Sequence, residues 1–209
     1  HLDIHKTYNE YIEAKANIFK NQKEEDTLVL NYDNEITRNF SKIAPGKVIY
    51  FSSKEKIKNG IIYDDGIIKS CEDGLRRHIL KLKDTTLRGT HNAENICAAI
   101  AATKGLVEIE DQVKAIKNFK GVPHRLEFVR ELNGNKWYND SIATSPTRTI
   151  AGLNSFDEEI VLIAGGYDKH LDYEPIAEPI LNKVKTLILT GQTAEKIFGA
   201  VKQKKEEEN

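Results

Sequence analysis

Across 209 residues the chain carries 31 basic and 32 acidic side chains, a net charge of −1, with 39% hydrophobic and 30% charged residues. A balance this even gives no electrostatic footprint for nucleic acid or an anionic membrane surface, and no apolar run approaches the ~18 residues of a membrane span. Neither class of partner is expected. The length suits one large domain or two of about 100 residues each. Cys71 and Cys97 lack metal-ligand spacing and fit a reduced, cytoplasmic setting as structural thiols. The chain has no Met and opens His1-Leu2-Asp3-Ile4-His5, which reads as a piece of a longer protein.

The first predicted element is a helix over 6–22, in which Tyr8, Tyr11, Ile12, Ile18 and Phe19 recur at the spacing of a buried stripe. A strand follows at 27–31, a helix at 33–42 and a strand at 47–52. Residues 61–68 form a hairpin around Asp65-Gly66, and 77–82 a further strand. An Ala-rich helix over 92–104 and a shorter one over 109–118 complete the first half.

After Val122-Pro123 the character changes. Asn133-Gly134 predicts a two-residue hairpin turn. Counting back from it sets Glu127 opposite Asp140 and Leu126 opposite Ser141, so that Arg125, Glu127 and Asp140 share one face at the hairpin's open end. A cation and a carboxylate meeting there, with His124 alongside, suit an anionic, hydroxyl-rich ligand. A helix at 145–154, a buried strand at 159–164, a helix at 173–182, a strand at 185–190 and a helix from 193 follow. That alternation predicts parallel, doubly wound α/β structure, with a domain boundary near Gly121.

Several residues depart from their local pattern. Lys15 falls within the apolar stripe of the first helix, so it either snorkels out or stays as a desolvated, reactive amine. His1 and His5 flank Asp3 and are either metal ligands or incidental. Asn92 and Asn95 share one face of a first helical turn, where they either cap the helix or read a ligand's polar edge. Gly165-Gly166-Tyr167-Asp168-Lys169 leaves a strand for a helix, where parallel sheets bind ligands, and Lys169 supplies a mobile charge. Thr190-Gly191-Gln192 holds the equivalent place and is read as a tight turn. No G-x-x-x-x-G-K-[ST] loop occurs, so the usual cradle for ATP phosphates is missing.

Taken in order, His1-Leu2-Asp3, Tyr11-Ile12-Glu13-Ala14-Lys15, Gly89-Thr90-His91-Asn92-Ala93-Glu94-Asn95, Pro123-His124-Arg125, Asn139-Asp140-Ser141 and Gly165-Gly166-Tyr167-Asp168-Lys169 resemble the Mur ligases. Within that family the chain is most similar to the branch that adds D-glutamate to UDP-N-acetylmuramoyl-L-alanine in peptidoglycan synthesis. The resemblance implies an α/β chain in two parts. Residues 1–121 would be the later part of the central ATP-binding domain, and 122–209 a truncated, Rossmann-like, amino-acid-binding domain.

The resemblance also implies roles. Lys15 matches a lysine that CO₂ carbamylates to support magnesium, and His1 matches a magnesium ligand. Asn92, Asn95, His124, Arg125 and Asp140 match positions at ATP, with Asn95 nearest the adenine, Asp140 on the ribose hydroxyls and Arg125 also catalytic. Lys169 and Thr144 match substrate-side positions. The implied cofactors are ATP and Mg²⁺, the implied reaction runs through an acyl phosphate, and the full-length enzyme is expected to be a cytoplasmic monomer. The fragment alone is expected to be inactive. Ile142 stands where many D-glutamate ligases of this family carry lysine, which removes a cation. Two other readings stay open: a sister amide ligase, either another Mur enzyme or a folylpolyglutamate synthetase type, and a non-catalytic binding module on the same fold.

Overall fold

The computed structural model describes residues 4–208, and His1 and Asp3 lie outside them. The chain divides into two compact units, one up to residue 87 and over 91–119, the other 88–90 and from residue 120 on.

The first unit is built on a five-stranded sheet of order β1-β2-β3-β4-β5. Its strands are β1 (Thr27–Asn31), β2 (Lys47–Ser52), β3 (Gly60–Asp64), β4 (Ile67–Glu72) and β5 (Leu75–Lys81). The first three run parallel and the last two return antiparallel. Strand alternation assigns the two faces. Leu28 and Leu30 of β1, with Val48 and Tyr50 of β2, pack against Ala16, Phe19 and Phe40. Val29, Ile49 and Phe51 point the other way, toward Ile61, Ile96, Cys97 and Ile100. The second layer comes from α3 (Thr90–Ala102) and α4 (Ile109–Asn118). Each fully buried isoleucine here contributes roughly 1.5–3 kcal/mol of burial free energy.

The return strands need tight turns, and the sequence provides them. Asp65-Gly66 and Asp73-Gly74 both take positive φ, 49° and 74° in the first pair and 49° and 83° in the second. That is the two-residue hairpin geometry that suits the twist of the flanking strands.

The first helix corrects the sequence reading. α1 spans only Tyr8–Ala16, capped by the Thr7 side chain, which accepts the Glu10 N–H. Beyond Ala16 the backbone bonds shorten to three-residue steps, Asn17 to Ala14, Ile18 to Lys15 and Phe19 to Ala16. This tightening rotates the periodic stripe off one face. Tyr8 and Ile18 are 58% and 78% exposed, and only Ala16 within α1 is buried. Lys15 is exposed, its ammonium 5.4 Å from the Tyr11 ring centroid, so the desolvation argument for it fails.

The second unit contains the hairpin β6 (Glu127–Leu132) and β7 (Asn135–Asn139), then α5 (Pro146–Leu153), β8 (Ile160–Gly166), α6 (Ala177–Lys183), β9 (Val184–Gly191) and α7 (Ala194–Glu207). β8 and β9 are parallel, with Leu162 beside Leu187 and Ala164 beside Leu189. Their inward residues pack on Leu153, Ile176, Ile180 and Ile197 from the helices. β8 is buried on that face alone, not throughout: Val161 and Ile163 on the opposite face are 52% and 59% exposed.

The hairpin turn forms at Asn133-Gly134, and Leu132 pairs with Asn135 as predicted, but the register slips before the open end. A bulge at Val129 sets Glu127 opposite Asn139 rather than Asp140. One extra residue transfers everything beyond it to the other face, so Arg125, Glu127 and Asp140 do not form a single row.

Candidate functional site

Three clusters stand out, one in the first unit and two in the second, and the first lies on α3. Asn92 falls inside the helix, which begins at Thr90, so N-capping is not its task. It is buried, and its Oδ1 accepts a hydrogen bond from Asn95 Nδ2 at 3.3 Å. That bond orients Asn95 and leaves its Oδ1 and second amide proton facing outward. Asn95 lines an open pocket of about 310 Å³ whose other walls are apolar: Leu87, Ile96, Ala99, Ala115, Ile116 and Phe119. The Phe119 wall is pinned by the Thr86 hydroxyl, which donates to the Phe119 carbonyl at 2.6 Å. An apolar slot with one donor and one acceptor at its rim suits a flat heteroaromatic ring carrying an amine beside a ring nitrogen.

A polar cluster supports the same helix. The Ser52 hydroxyl donates to Asp33 Oδ1 at 2.5 Å, and the N–H groups of Ser53 and Lys54 donate to Oδ2 at 2.7 and 3.2 Å. Burial acts to raise the Asp33 pKa, but these bonds from Ser52, Ser53 and Lys54 outweigh it and hold the carboxyl below its ordinary value. Ser53 Oγ reaches Glu94 Oε1, on α3, at 2.6 Å. Sequence reasoning passed over these residues. The legible signal was an acidic side chain just past one parallel strand beside a Ser-Ser pair at the end of the next.

The second cluster is the open end of the β6–β7 hairpin. His124 and Leu126 both take positive φ, 64° and 45°, folding the backbone into a compact turn. Side chains hold it closed. The His124 N–H donates to Glu127 Oε2 at 2.8 Å, its ring Nδ1 meets Asn139 Nδ2 at 2.9 Å, and the Leu126 N–H donates to Asp140 Oδ1 at 3.0 Å. Arg125 and Thr144 are exposed, and Arg125 has no ion-pair partner among the described residues. His124 and Asp140 thus hold the same turn, with Arg125 exposed between the two backbone positions they fix, rather than on a shared strand face.

The third cluster caps the parallel strands β8 and β9. Gly165 and Gly166 take φ of 133° and 135°, and a Cβ on Gly165 would lie 1.7 Å from the Thr190 carbonyl oxygen. Only glycine fits such an approach. Asp168 fixes the following loop: its Oδ1 accepts the His170 N–H at 2.9 Å and its Oδ2 accepts Lys196 Nζ at 2.5 Å, while its own N–H donates to Gln192. The Lys196 ammonium, followed by the His170 N–H, holds the Asp168 carboxyl below its usual range. Lys169 is left exposed on this fixed loop, without an ion pair among the described residues. Gln192 and Lys196 make the segment after β9 a frame for the loop, beyond the tight turn read from the sequence.

For a metal the described residues offer little. No group of three His, Cys, Asp or Glu side chains comes together among them, and His1 lies outside them. His5 packs against Tyr11, with ring centroids 5.5 Å apart. No helix among the described residues is long and apolar enough to cross a membrane.

Comparisons with known proteins align with this division. The family model for the Mur ligase middle domain matches residues 1–103, and that for the Mur ligase, glutamate ligase domain matches 124–209. A UDP-N-acetylmuramoylalanine--D-glutamate ligase of Acetivibrio thermocellus is 50% identical over 197 residues, which is 94% of this chain and 42% of that protein. A Clostridium perfringens protein of the same name is 48% identical over 207 residues, 99% of this chain and 44% of that one. The chain therefore spans less than half the length of these curated relatives. Among solved structures, MurF from Acinetobacter baumannii superposes with a TM-score of 0.76 at 16% identity, covering 97% of this chain and 47% of that one. Folylpolyglutamate synthase from Thermotoga maritima gives 0.62 at 18% identity, covering 95% and 49%. At such identities these likenesses speak to the fold alone.

Proposed function

This chain belongs to the Mur ligase family, and from that premise we propose that the full-length protein uses ATP to join D-glutamate to UDP-N-acetylmuramoyl-L-alanine. Residues 1–121 would contribute the base side of the ATP site and 122–209 the amino-acid side. The observation that carries the reading is Asn95, bonded to the buried Asn92 amide and set at the rim of an apolar pocket, in a chain about half identical to ligases of that name.

In this reading Asn95 accepts from the exocyclic amine of adenine and donates to a neighbouring ring nitrogen, while the apolar walls cover the ring. Asp140 accepts from ribose hydroxyls, and His124 and Arg125 face the phosphates. The chemistry has two steps. A carboxylate oxygen of the alanyl group attacks the γ-phosphorus, giving an acyl phosphate and ADP. The D-glutamate amine then attacks the acyl carbon, phosphate leaves with its electron pair, and the amine loses a proton. A guanidinium such as that of Arg125 offsets charge on the transferring phosphoryl group. Lys169 and Thr144 would contact the amino-acid substrate, Lys169 pairing with a carboxylate of D-glutamate.

Magnesium is the family's expected partner in this step, with His1 and a carbamylated Lys15 on its side of the site. The donors among the described residues do not make a magnesium site by themselves. We place the full-length enzyme in the cytoplasm as a monomer.

The test is an amino-acid panel on the full-length protein. Phosphate release that requires UDP-N-acetylmuramoyl-L-alanine and D-glutamate, and that L-alanine, L-lysine and meso-diaminopimelate do not support, is the expected result. Turnover with one of the others in place of D-glutamate would assign a sister ligase. No amino-acid-dependent turnover at all would point to a binding module.

A further inference from the structure

The cluster of Asp33, Ser52, Ser53 and Glu94 takes no part in the chemistry above, yet it leads directly to the base-reading amides. Asp33 follows β1, Ser52 and Ser53 stand at the end of β2, and Glu94 sits on α3 between Asn92 and Asn95. Ser52 is fully buried, so the Asp33 carboxylate it contacts is held from inside the fold. Both Asp33 oxygens are engaged by groups on the β2 side, which fixes the backbone at Ser53.

Ser53 then has a choice of acceptors. Its hydroxyl oxygen lies 2.6 Å from Glu94 Oε1 and 3.3 Å from Asp33 Oδ2. A hydroxyl has one proton to give, and the shorter contact takes it. Asp33 therefore fixes Ser53 through the backbone, and Ser53 fixes Glu94 through its side chain. Because Glu94 lies within one turn of both Asn92 and Asn95, tethering it restrains rotation of that turn about the helix axis. Rotation of a few tens of degrees would carry the Asn95 amide off the plane of a ring held in the pocket.

We propose that Ser53 and Glu94 are positioning residues that aim the Asn92–Asn95 amide pair, and thereby set the pocket's preference for a purine carrying an exocyclic amine. The proposal rests on the reading of Asn95 as the residue at the base edge. It distinguishes a tether that serves selectivity from a polar cluster that merely closes the end of the sheet, because only the former changes which base is accepted.

The experiment compares kcat/KM for ATP and for inosine triphosphate, which replaces the amine with a carbonyl, using the full-length protein. Asn95→Ala is the reference for loss of base reading. Ser53→Ala and Glu94→Ala are each expected to narrow the ATP preference by about threefold to tenfold, the scale of one lost hydrogen bond. KM for D-glutamate should stay unchanged, and Ser53→Thr, which keeps the hydroxyl, should restore the preference. Should Ser53→Ala fail to fold, Glu94→Ala carries the test alone. If Asn95→Ala abolishes the preference while Ser53→Ala and Glu94→Ala keep it, the positioning role is overturned and the nucleotide site stands. If Asn95→Ala also keeps it, the base-edge reading falls and this proposal with it.

Discussion

The backbone N–H of Leu126 donates to Asp140 Oδ1 at 3.0 Å, closing a turn in which Leu126 itself takes a φ of 45°. A leucine in the left-handed region is strained by roughly 1–3 kcal/mol, so something must hold it there. Asp140 does so from the far strand, and Gly152 of α5 leaves room for it: a Cβ on Gly152 would come within 2.9 Å of Asp140 Oδ2. Asp140 is therefore a structural tie first, with the ribose contact proposed for it as a second task.

This double role separates two substitutions. Asp140→Ala removes the acceptor and should cost about 1–3 kcal/mol in chemical denaturation, the range for an orphaned donor. Asp140→Asn keeps an acceptor oxygen for Leu126 and should cost far less, yet it should raise KM for ATP as the alanine variant does. Equal stability losses in the two variants would contradict the tie.

Gly152→Ala tests the same contact from the other side. Alanine in a helix interior ordinarily gains roughly 0.5–1 kcal/mol over glycine. Here the added methyl would press on Asp140 Oδ2, so the substitution is expected to destabilise. A measured gain would show that the carboxylate moves aside freely.

How far the sequence went is clearest at this turn. Asn133-Gly134 announced the hairpin because its geometry is local, and Leu132 opposite Asn135 followed from it. The Val129 bulge has no comparable local signature, and one skipped residue undid the predicted row of Arg125, Glu127 and Asp140. Lys15 failed for a related reason, since apolar spacing cannot reveal where a helix tightens and ends. The Ser53–Glu94 contact links residues 41 apart in the chain, which no local pattern encodes. Asn92 and Asn95, by contrast, were legible because both lie within one helical turn.

Lys196 and Asp168 give a pH-dependent prediction. The folded Asp168 pKa is depressed by Lys196, so its contribution to stability is present above the ordinary carboxylate pKa of about 4 and is lost as pH falls through the lower folded value. Thermal stability of wild type and Lys196→Gln should therefore differ at neutral pH and converge on acidification. KM for D-glutamate should also rise in Lys196→Gln, with KM for ATP unchanged. A stability gap that persists after acidification would show that Lys196 acts through packing instead.

Burial pushes the Cys97 thiol up to about 12 and raises Cys71 as well. A raised folded pKa gives stability that is complete below the unfolded thiol pKa of about 8.5 and declines as pH climbs toward the folded value. Both cysteines should resist thiol reagents near pH 8 until the protein unfolds. Rapid labelling of native protein would mean that the α3 side of the core opens readily.

This chain carries no phosphate-cradling loop of the usual sequence, so it should bind ATP weakly or not at all on its own. Isothermal calorimetry measures this directly. Sub-micromolar affinity would mean that the pocket beside Asn95 suffices without that loop.

The most direct test of the central claim follows oxygen. UDP-N-acetylmuramoyl-L-alanine labelled with ¹⁸O in its carboxylate is incubated with ATP, D-glutamate and the full-length protein, and the released phosphate is analysed by mass. An acyl phosphate transfers one carboxylate oxygen to that phosphate, so singly labelled phosphate that forms only with D-glutamate present is the predicted result. Unlabelled phosphate, or release indifferent to D-glutamate, would contradict it.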